Sequence, residues 1–364
     1  MEDELELEGV EPGLAQVLQC IADVIKGITG LLRDQAASGA EVAGSTNSFG
    51  DEQLQVDMAC DDLIFQRLAA CPACCGASSE ERPEMRVLPG SGYTVVFDPL
   101  DGSSIVGANF AVGSIFGVWP GLGVEGRCGA EQAAAAYAVY GPRTLLVWAR
   151  PRAGPGSPLV VQQLVLSSAG SWQRLPHPRR LPPQHSSPGP PPDSSSSSSS
   201  GPQPGGGEEA GPGPAGGSGE RIKAAVQGGG SNWIGCGKKL FAPANLRCCG
   251  GNRPYWQLVE DWVAAGYTLR YTGGMVPDVH HMLAKGGGVF VSPSSAAAPP
   301  KLRLVYECAP LALIVEAAGG ASSHDGESSV LSARITSCQQ RCPIVLGAQD
   351  LVEASRPALR ASTP

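Results

Sequence analysis

The chain has 364 residues, 42% hydrophobic content and a formal net charge of −8, which suits a two-lobed α/β protein with a sizeable core. The acidic balance argues against nucleic acid or an anionic membrane as the main partner. No uninterrupted apolar run approaches the roughly 20 residues that span a bilayer, so the chain reads as a soluble protein. Twelve cysteines at irregular spacings do not form a disulfide framework, which a chain of this length does not need. Cys71-Pro-Ala-Cys74-Cys75 holds one CxxC with no matching second pair. It reads as a reduced thiol cluster, with a zinc site as the alternative.

Residues 1–12 are dominated by Glu and Asp, giving an acidic tail or charge placed ahead of a helix N-terminus. A transit peptide would be rich in Arg and Ser and poor in acids, so the sequence as it stands points to the cytoplasm. A chloroplast form with a missing true start is the alternative. Leu14, Val17, Leu18, Ile21, Ile25, Ile28 and Leu32 recur at three- and four-residue steps, predicting a helix to about residue 37. A second amphipathic helix is expected from Asp51 through Leu68, with Asp51 and Asp57 on different faces.

The adjacent Glu80 and Glu81 precede a β-branched run that ends in Asp98-Pro99-Leu100-Asp101-Gly102-Ser103-Ser104. Strand, turn and helix start are expected there. Asp98 and Asp101 offer hard oxygen ligands for a divalent cation, and Gly102, Ser103 and Ser104 offer amides and hydroxyls to a phosphate. The plainer readings are a surface turn and a solvated glutamate pair. Residues 112–119, 145–149 and 159–166 read as strands, with 132–140 as an Ala-rich helix between the first two.

From 175 to 230 the chain is rich in Pro, Gly and Ser, including seven serines at 194–200. Such a stretch buries too little to offset its ordering entropy and is read as a disordered insertion. It separates an N-terminal lobe, 13–174, from a C-terminal lobe, 231–364. In the second lobe Pro254 and Gly266 bracket a helix, 267–271 is a strand, 277–285 a short helix, 301–306 a strand and 310–318 an apolar helix ended by Gly319-Gly320. Alternating strands and helices argue α/β layering. Carboxylates gather at predicted element ends in the first lobe, while Asn245, Arg270, Tyr271, Lys301 and Arg303 supply polar and basic groups in the second. This division fits hydrolysis of a phosphate from an anionic sugar.

Five segments taken in order, Asn47-Ser48-Phe49-Gly50-Asp51-Glu52-Gln53 with Val56-Asp57, Ser79-Glu80-Glu81, Asp98 to Ser104, Leu269-Arg270-Tyr271-Thr272-Gly273-Gly274-Met275, and Lys301-Leu302-Arg303-Leu304 with Tyr306-Glu307, resemble the fructose-1,6-bisphosphatase family. Within it the chain is most similar to the sedoheptulose-1,7-bisphosphatases of the Calvin cycle. The resemblance implies a layered α-β-α-β-α fold in two lobes. It implies that Glu80, Asp98, the Leu100 carbonyl, Asp101 and Glu307 ligate two or three Mg²⁺ ions with Asp51 close by, and that Asp57 and Glu81 orient and deprotonate the attacking water. Gly102, Ser103 and Ser104 would hold the scissile phosphate. Asn245, Arg270, Tyr271 and Lys301 would bind the sugar and its second phosphate, Arg270 by reaching into a neighbouring subunit of a homodimer or homotetramer.

Departures sharpen the expectation. Cys248 and Ser292 stand where fructose-specific members carry tyrosines, which favours the seven-carbon substrate. A Lys-Tyr pair of AMP-regulated members is Gly92-Tyr93 here, so AMP inhibition is not expected, and 38–46 lacks the redox cysteine pair of plant members. The alternatives are a fructose-1,6-bisphosphatase, a dual-substrate enzyme and a non-catalytic paralogue that binds sugar phosphates.

Overall fold

The computed structural model describes residues 5–34, 42–46, 52–154, 156–176 and 233–362, with the backbone alone at 42–46 and 52–54. Asp51 and nearly all of the low-complexity insertion lie outside the described residues. Leu175, assigned to that insertion, still donates its N–H to the Gln163 carbonyl at 2.9 Å.

Helix α1, Pro12–Asp34, buries the apolar positions expected of it. It is also long and apolar enough by composition to cross a membrane, contrary to the reading that no segment is. Half of it is buried inside the protein, where it shares one core with α2, Gln55–Ala69, and a face of a large sheet. The stretch ahead of α1 is not frayed, because Leu5 and Val10 are buried. Glu11 accepts the Gly13 and Leu14 N–H groups at 2.9 and 2.7 Å, satisfying free donors of the first turn. The Tyr93 hydroxyl completes its shell at 2.8 Å. The residue retained from the Lys-Tyr pair is therefore engaged internally.

Two short strands, β1 (Val42–Thr46) and β2 (Glu52–Leu54), pair ahead of α2. The helix expected from residue 51 begins only at Gln55. The large sheet is built from β3 (Cys74–Ser79), β4 (Arg86–Val87), β5 (Tyr93–Asp101), β6 (Val112–Pro120), β7 (Ala134–Tyr140), β8 (Thr144–Pro151), β9 (Leu159–Leu166) and β10 (Trp172–Arg174). Its spatial order is β10-β9-β8-β7-β6-β5-β3-β4. Only β3 and β5 run parallel; the other pairs are antiparallel.

Strand β7 corrects the helix expected at 132–140. Alanine favours helix locally, but all seven residues of β7 are buried and both edges are paired, to β6 and to β8. Ala134, Ala136 and Ala138 join the α1–α2 core beside Phe116 and Trp148, while Ala135, Tyr137 and Val139 join the opposite core. Small side chains leave room for large neighbours, so packing overrides propensity.

A second sheet combines β11 (Leu240–Pro243), β12 (Thr268–Leu269), β13 (Val289–Ser292), β14 (Ala321–Ser323) and β15 (Ile344–Gly347) in the order β12-β11-β13-β15-β14. The strand expected at 267–271 shrinks to β12. Helices α3 (Arg253–Ala264), α4 (Met275–Lys285), α5 (Ala309–Ala317) and α6 (Gln349–Arg360) complete the lobe. Asn252 caps α3 by accepting the Tyr255 N–H at 3.1 Å, and Gly266 follows the helix at φ +73°, as the Pro and Gly punctuation implied. The helices α4 and α5 touch β6 and β7 on one side and the smaller sheet on the other, and α3 packs on α6. The order is α1/α2, large sheet, α4/α5, small sheet, α3/α6, the expected α-β-α-β-α layering.

The strand expected at 301–306 is replaced by a lone bridge between Arg303 and Arg341, followed by a π-helical turn, Leu304–Cys308, that runs into α5. The Arg303 carbonyl accepts the Cys308 N–H, five residues on, at 3.1 Å. Such a widened turn commonly occurs at functional sites.

The lobes meet closely where β6 faces α4. A Cβ on Gly113 would lie 2.5 Å from the Val276 Cβ and 2.8 Å from the Ala138 carbonyl, neither of which can yield without moving backbone. Gly113→Ala is expected to cost about 1–3 kcal/mol, measured as a lowered urea midpoint with an unchanged slope; an unaltered midpoint would show that this contact is loose.

Candidate active site

Three elements deliver one carboxylate each to a common point. Glu80 follows the end of β3, where its N–H donates to the Phe97 carbonyl at 3.0 Å. Asp98 lies where β5 loses register with β6, an irregularity that re-aims side chains next to active sites. Its Oδ1 accepts the Leu100 N–H at 2.9 Å, fixing the Pro99-Leu100 turn. The π-helical turn carries Glu307, which accepts the Arg303 N–H at 2.5 Å. Ligand oxygens of Glu80, Asp98 and Glu307 lie within 4.8 Å of one another.

Burial, then the neighbouring carboxylates with Glu80 foremost, push the Asp98 and Glu307 carboxyls far above the ordinary carboxylate range. Arg303 opposes this, its Nη1 lying 2.5 Å from Glu80 with its own side chain buried. Each pair of like charges at this spacing costs roughly 4 kcal/mol at an effective dielectric of about 20. One guanidinium cannot offset three carboxylates, two of them buried. The all-oxygen donor set and its uncompensated charge fit a hard divalent cation such as Mg²⁺.

Asp101 does not join that trio. Its two oxygens accept the Met275 and Val276 N–H groups at 3.0 and 2.6 Å, so it caps α4 across the lobe boundary while each oxygen keeps a further lone pair. Burial raises its carboxyl to about 6 against these two hydrogen bonds. Gly102 follows at φ +82°, and a Cβ there would meet the Gly274 Cα at 3.2 Å, so only glycine both adopts the turn and lets the lobes approach. Ser103 and Ser104 open a short 3₁₀ helix, Ser103–Ala108.

Asp57 is buried in the first turn of α2, and Glu81 is half-buried beside Glu80. Asp61, one turn after Asp57 on the same helix face, feels the Glu81 charge; burial raises it to about 6. Arg82 reaches Asp61 at 3.1 Å and Asp62 at 2.6 Å, tying the Glu80-Glu81 segment to α2. Sequence reasoning missed Asp61 and Arg82. Both sit in a carboxylate-rich run whose roles only tertiary contact separates.

The residues expected to bind the sugar lie on loops of the second lobe. Asn245, at φ +49°, donates its Nδ2 to the Pro293 and Ala298 carbonyls at 2.8 and 3.2 Å. Tyr271 is 48% exposed. Burial and then Asp278 raise its hydroxyl pKa, which Arg247 opposes. Lys301 is exposed. Arg270 is set apart: its Nη1 donates to the Leu269 carbonyl at 2.8 Å, and its charge acts on His281 of α4. Arg303 appeared in the sequence reading only as a basic group, and Arg247 did not appear at all.

Asp98→Asn removes one charge while keeping the oxygen that accepts from Leu100. Carboxyls raised in the folded state bind protons that the unfolded chain has released, so their stabilising contribution is present at low pH and lost as pH rises. In divalent-free buffer the variant is therefore expected to melt above the parent at pH 8, with the gap closing towards pH 4. A lower midpoint at both pH values would remove repulsion as the governing force.

Comparison with known proteins accords with this geometry. Residues 1–173 match the model for the fructose-1-6-bisphosphatase N-terminal domain and 235–360 that for its C-terminal domain. A chloroplastic sedoheptulose-1,7-bisphosphatase of Triticum aestivum is 37% identical, covering 93% of this chain and 71% of the relative. A class 1 fructose-1,6-bisphosphatase of Pelobacter propionicus is 30% identical, covering 94% and 87%. Among solved structures, a chain described as a sedoheptulose-1,7-bisphosphatase of Toxoplasma gondii superposes with a TM-score of 0.75 at 29% identity over 98% of this chain and 97% of its own. The fructose-1,6-bisphosphatase of Leishmania major in holo form gives 0.71 at 26% identity over 96% and 95%. The chain belongs to the fructose-1,6-bisphosphatase family and is a sugar bisphosphatase, a hydrolase of phosphoric monoesters.

Proposed function

We propose that the protein hydrolyses the 1-phosphate of sedoheptulose 1,7-bisphosphate to sedoheptulose 7-phosphate with Mg²⁺ as cofactor. The observation that carries the metal-dependent chemistry is the trio Glu80, Asp98 and Glu307, whose ligand oxygens lie within 4.8 Å of one another. These residues, with the Leu100 carbonyl and Asp101, would hold the ions, and Asp51 is proposed beside them from the sequence motif. Bound there, Mg²⁺ would supply neutralisation of the phosphoryl oxygens and a water of lowered pKa.

The remaining roles fall to the chain's own groups. Asp57 and Glu81 orient the attacking water and take its proton. Gly102, Ser103 and Ser104 hold the scissile phosphate through backbone amides and hydroxyls. Asn245, Tyr271 and Lys301 hold the sugar and its second phosphate. Arg270, whose Nη1 donates to the Leu269 carbonyl, serves a neighbouring subunit of a homodimer or homotetramer.

The seven-carbon reading rests on the higher identity to the Triticum enzyme, 37% against 30% for the Pelobacter one. It also rests on small side chains at Cys248 and Ser292, both buried. A second reading, hydrolysis of fructose 1,6-bisphosphate alone or in addition, is favoured by the class 1 relatives.

Phosphate release with Mg²⁺ is measured from the two bisphosphates at equal low concentration. A higher rate on the seven-carbon sugar is expected, and a higher rate on fructose 1,6-bisphosphate would select the second reading. Glu81→Gln is expected to lower kcat by roughly 10²–10⁴ with little change in KM. An unaltered kcat would remove Glu81 from proton transfer.

A further inference from the structure

Strand β11 pairs in parallel with β12 and with β13. The three loops that leave the C-terminal ends of these strands therefore open at one edge of the small sheet, where layered α/β folds place ligands. Asn245 ties the loop after β11 to the loop after β13 through the Pro293 and Ala298 carbonyls. The Arg270 N–H, donating to the Phe241 carbonyl at 2.9 Å, holds the loop after β12 alongside. Asn245 Oδ1 and Ser295 Oγ are closed from solvent and have no hydrogen-bond partner among the described residues. This loop cluster is thus richer in polar atoms than its own contacts satisfy.

The cluster connects directly to the carboxylate end. Tyr271 is followed by Thr272, whose N–H donates to Asp278 at 2.8 Å, and then by the Met275 and Val276 amides that hold Asp101. A substrate held by one phosphate at Gly102 would extend past Gly274, whose Cα faces Gly102, towards Tyr271. A second anionic group beyond the sugar then needs a cation beside Tyr271, and Arg247 lies close enough for its charge to act on the Tyr271 hydroxyl.

Arg270 does not fill that place in its own subunit, because its guanidinium folds back on the Leu269 carbonyl and acts on His281 of α4. Arg247 is two residues after Asn245, on the short 3₁₀ helix Leu246–Gly250. That helix is pinned from below by Cys248, which is fully buried and donates its N–H to the Asn245 carbonyl at 2.9 Å. The Arg247 side chain is exposed, leaving its planar fork free to pair with a phosphate through two parallel hydrogen bonds.

We propose that Arg247 binds the phosphate at the end of the sugar opposite the one hydrolysed, and so sets preference for substrates carrying that second phosphate. The assignment rests on the bisphosphatase reading above. It adds a residue from the subunit's own chain to a site for which the sequence supplied Arg270 and Lys301 as the cations.

Steady-state phosphate release is compared for the better of the two bisphosphates and for fructose 1-phosphate, which has no distal phosphate. Arg247→Ala is expected to raise KM for the bisphosphate roughly ten- to hundredfold, the range of a charged hydrogen bond. It should leave kcat/KM for fructose 1-phosphate within about twofold, and Arg247→Lys should recover part of the loss as a point charge without the fork. An equal loss on both substrates would make the residue structural and overturn the proposal, as would unchanged kinetics on both. A parent enzyme inactive on both bisphosphates would overturn the functional reading itself, and this assignment with it.

Discussion

Repulsion among three converging carboxylates, two of them buried, is the constraint around which this protein is arranged. Glu80, Asp98 and Glu307 come from a strand end, a strand irregularity and a π-helical turn, the last two being departures from regular secondary structure. Asp98, opposite Ile115, is the last residue of β5 paired with β6 before the register shifts. A continuous α-helix from Leu304 would have rotated Glu307 by the one residue that the wider turn inserts. Surrounding packing over-determines each departure: Asp98 by its bond from Leu100, Glu307 by its bond from Arg303, and Glu80 by the guanidinium of the same arginine. Local irregularity is stored where charge has to converge.

The second structural demand is that two lobes, joined through a hydrophobic core that one face of the large sheet shares with the second lobe, present one site. Asp101 meets it by using both oxygens as a cap for α4, so a carboxylate of the first lobe satisfies free backbone donors of the second. Close approach follows at Gly102, which faces Gly274, and at Gly113, which faces Val276. Gly113 also pairs with Asp101 across β5 and β6. A side chain at either glycine would separate the cap from its helix. The placement of the Gly102 turn against the start of α4 is therefore fixed by backbone contact.

Much of this was legible in the sequence because the signals were local. The period of α1 and the Pro and Gly brackets of α3 are properties of a short window, and the structure follows them. What failed was decided from outside the window. Residues 134–140 have alanine enough for a helix, but their neighbours on both edges are strands and their neighbours on both faces are large. The alternation in 301–306 looked like a strand because nothing local says that Arg303 must face Glu80. At the site, Glu80, Asp98 and Glu307 were named from motifs and do converge, and Asp101, named with them, carries a cap of α4 that no motif announced. Arg247 escaped notice because an exposed arginine after Asn245 has no spacing signal; its meaning comes from β11 lying beside β12.

The two ends of the site are built on unequal terms. The carboxylate end is buried, irregular in backbone and tied to both lobes, so substitution there disturbs several elements at once. The sugar end is made of loops leaving parallel strands, with Arg247, Arg270, Tyr271 and Lys301 all exposed. Exchange of one such side chain alters which anion is held and leaves the fold in place. Relatives named for seven-carbon and for six-carbon substrates accordingly share this fold. On the function proposed above, substrate preference is set in the three loops beyond β11, β12 and β13, where exposed cations stand near the small buried side chains of Cys248 and Ser292.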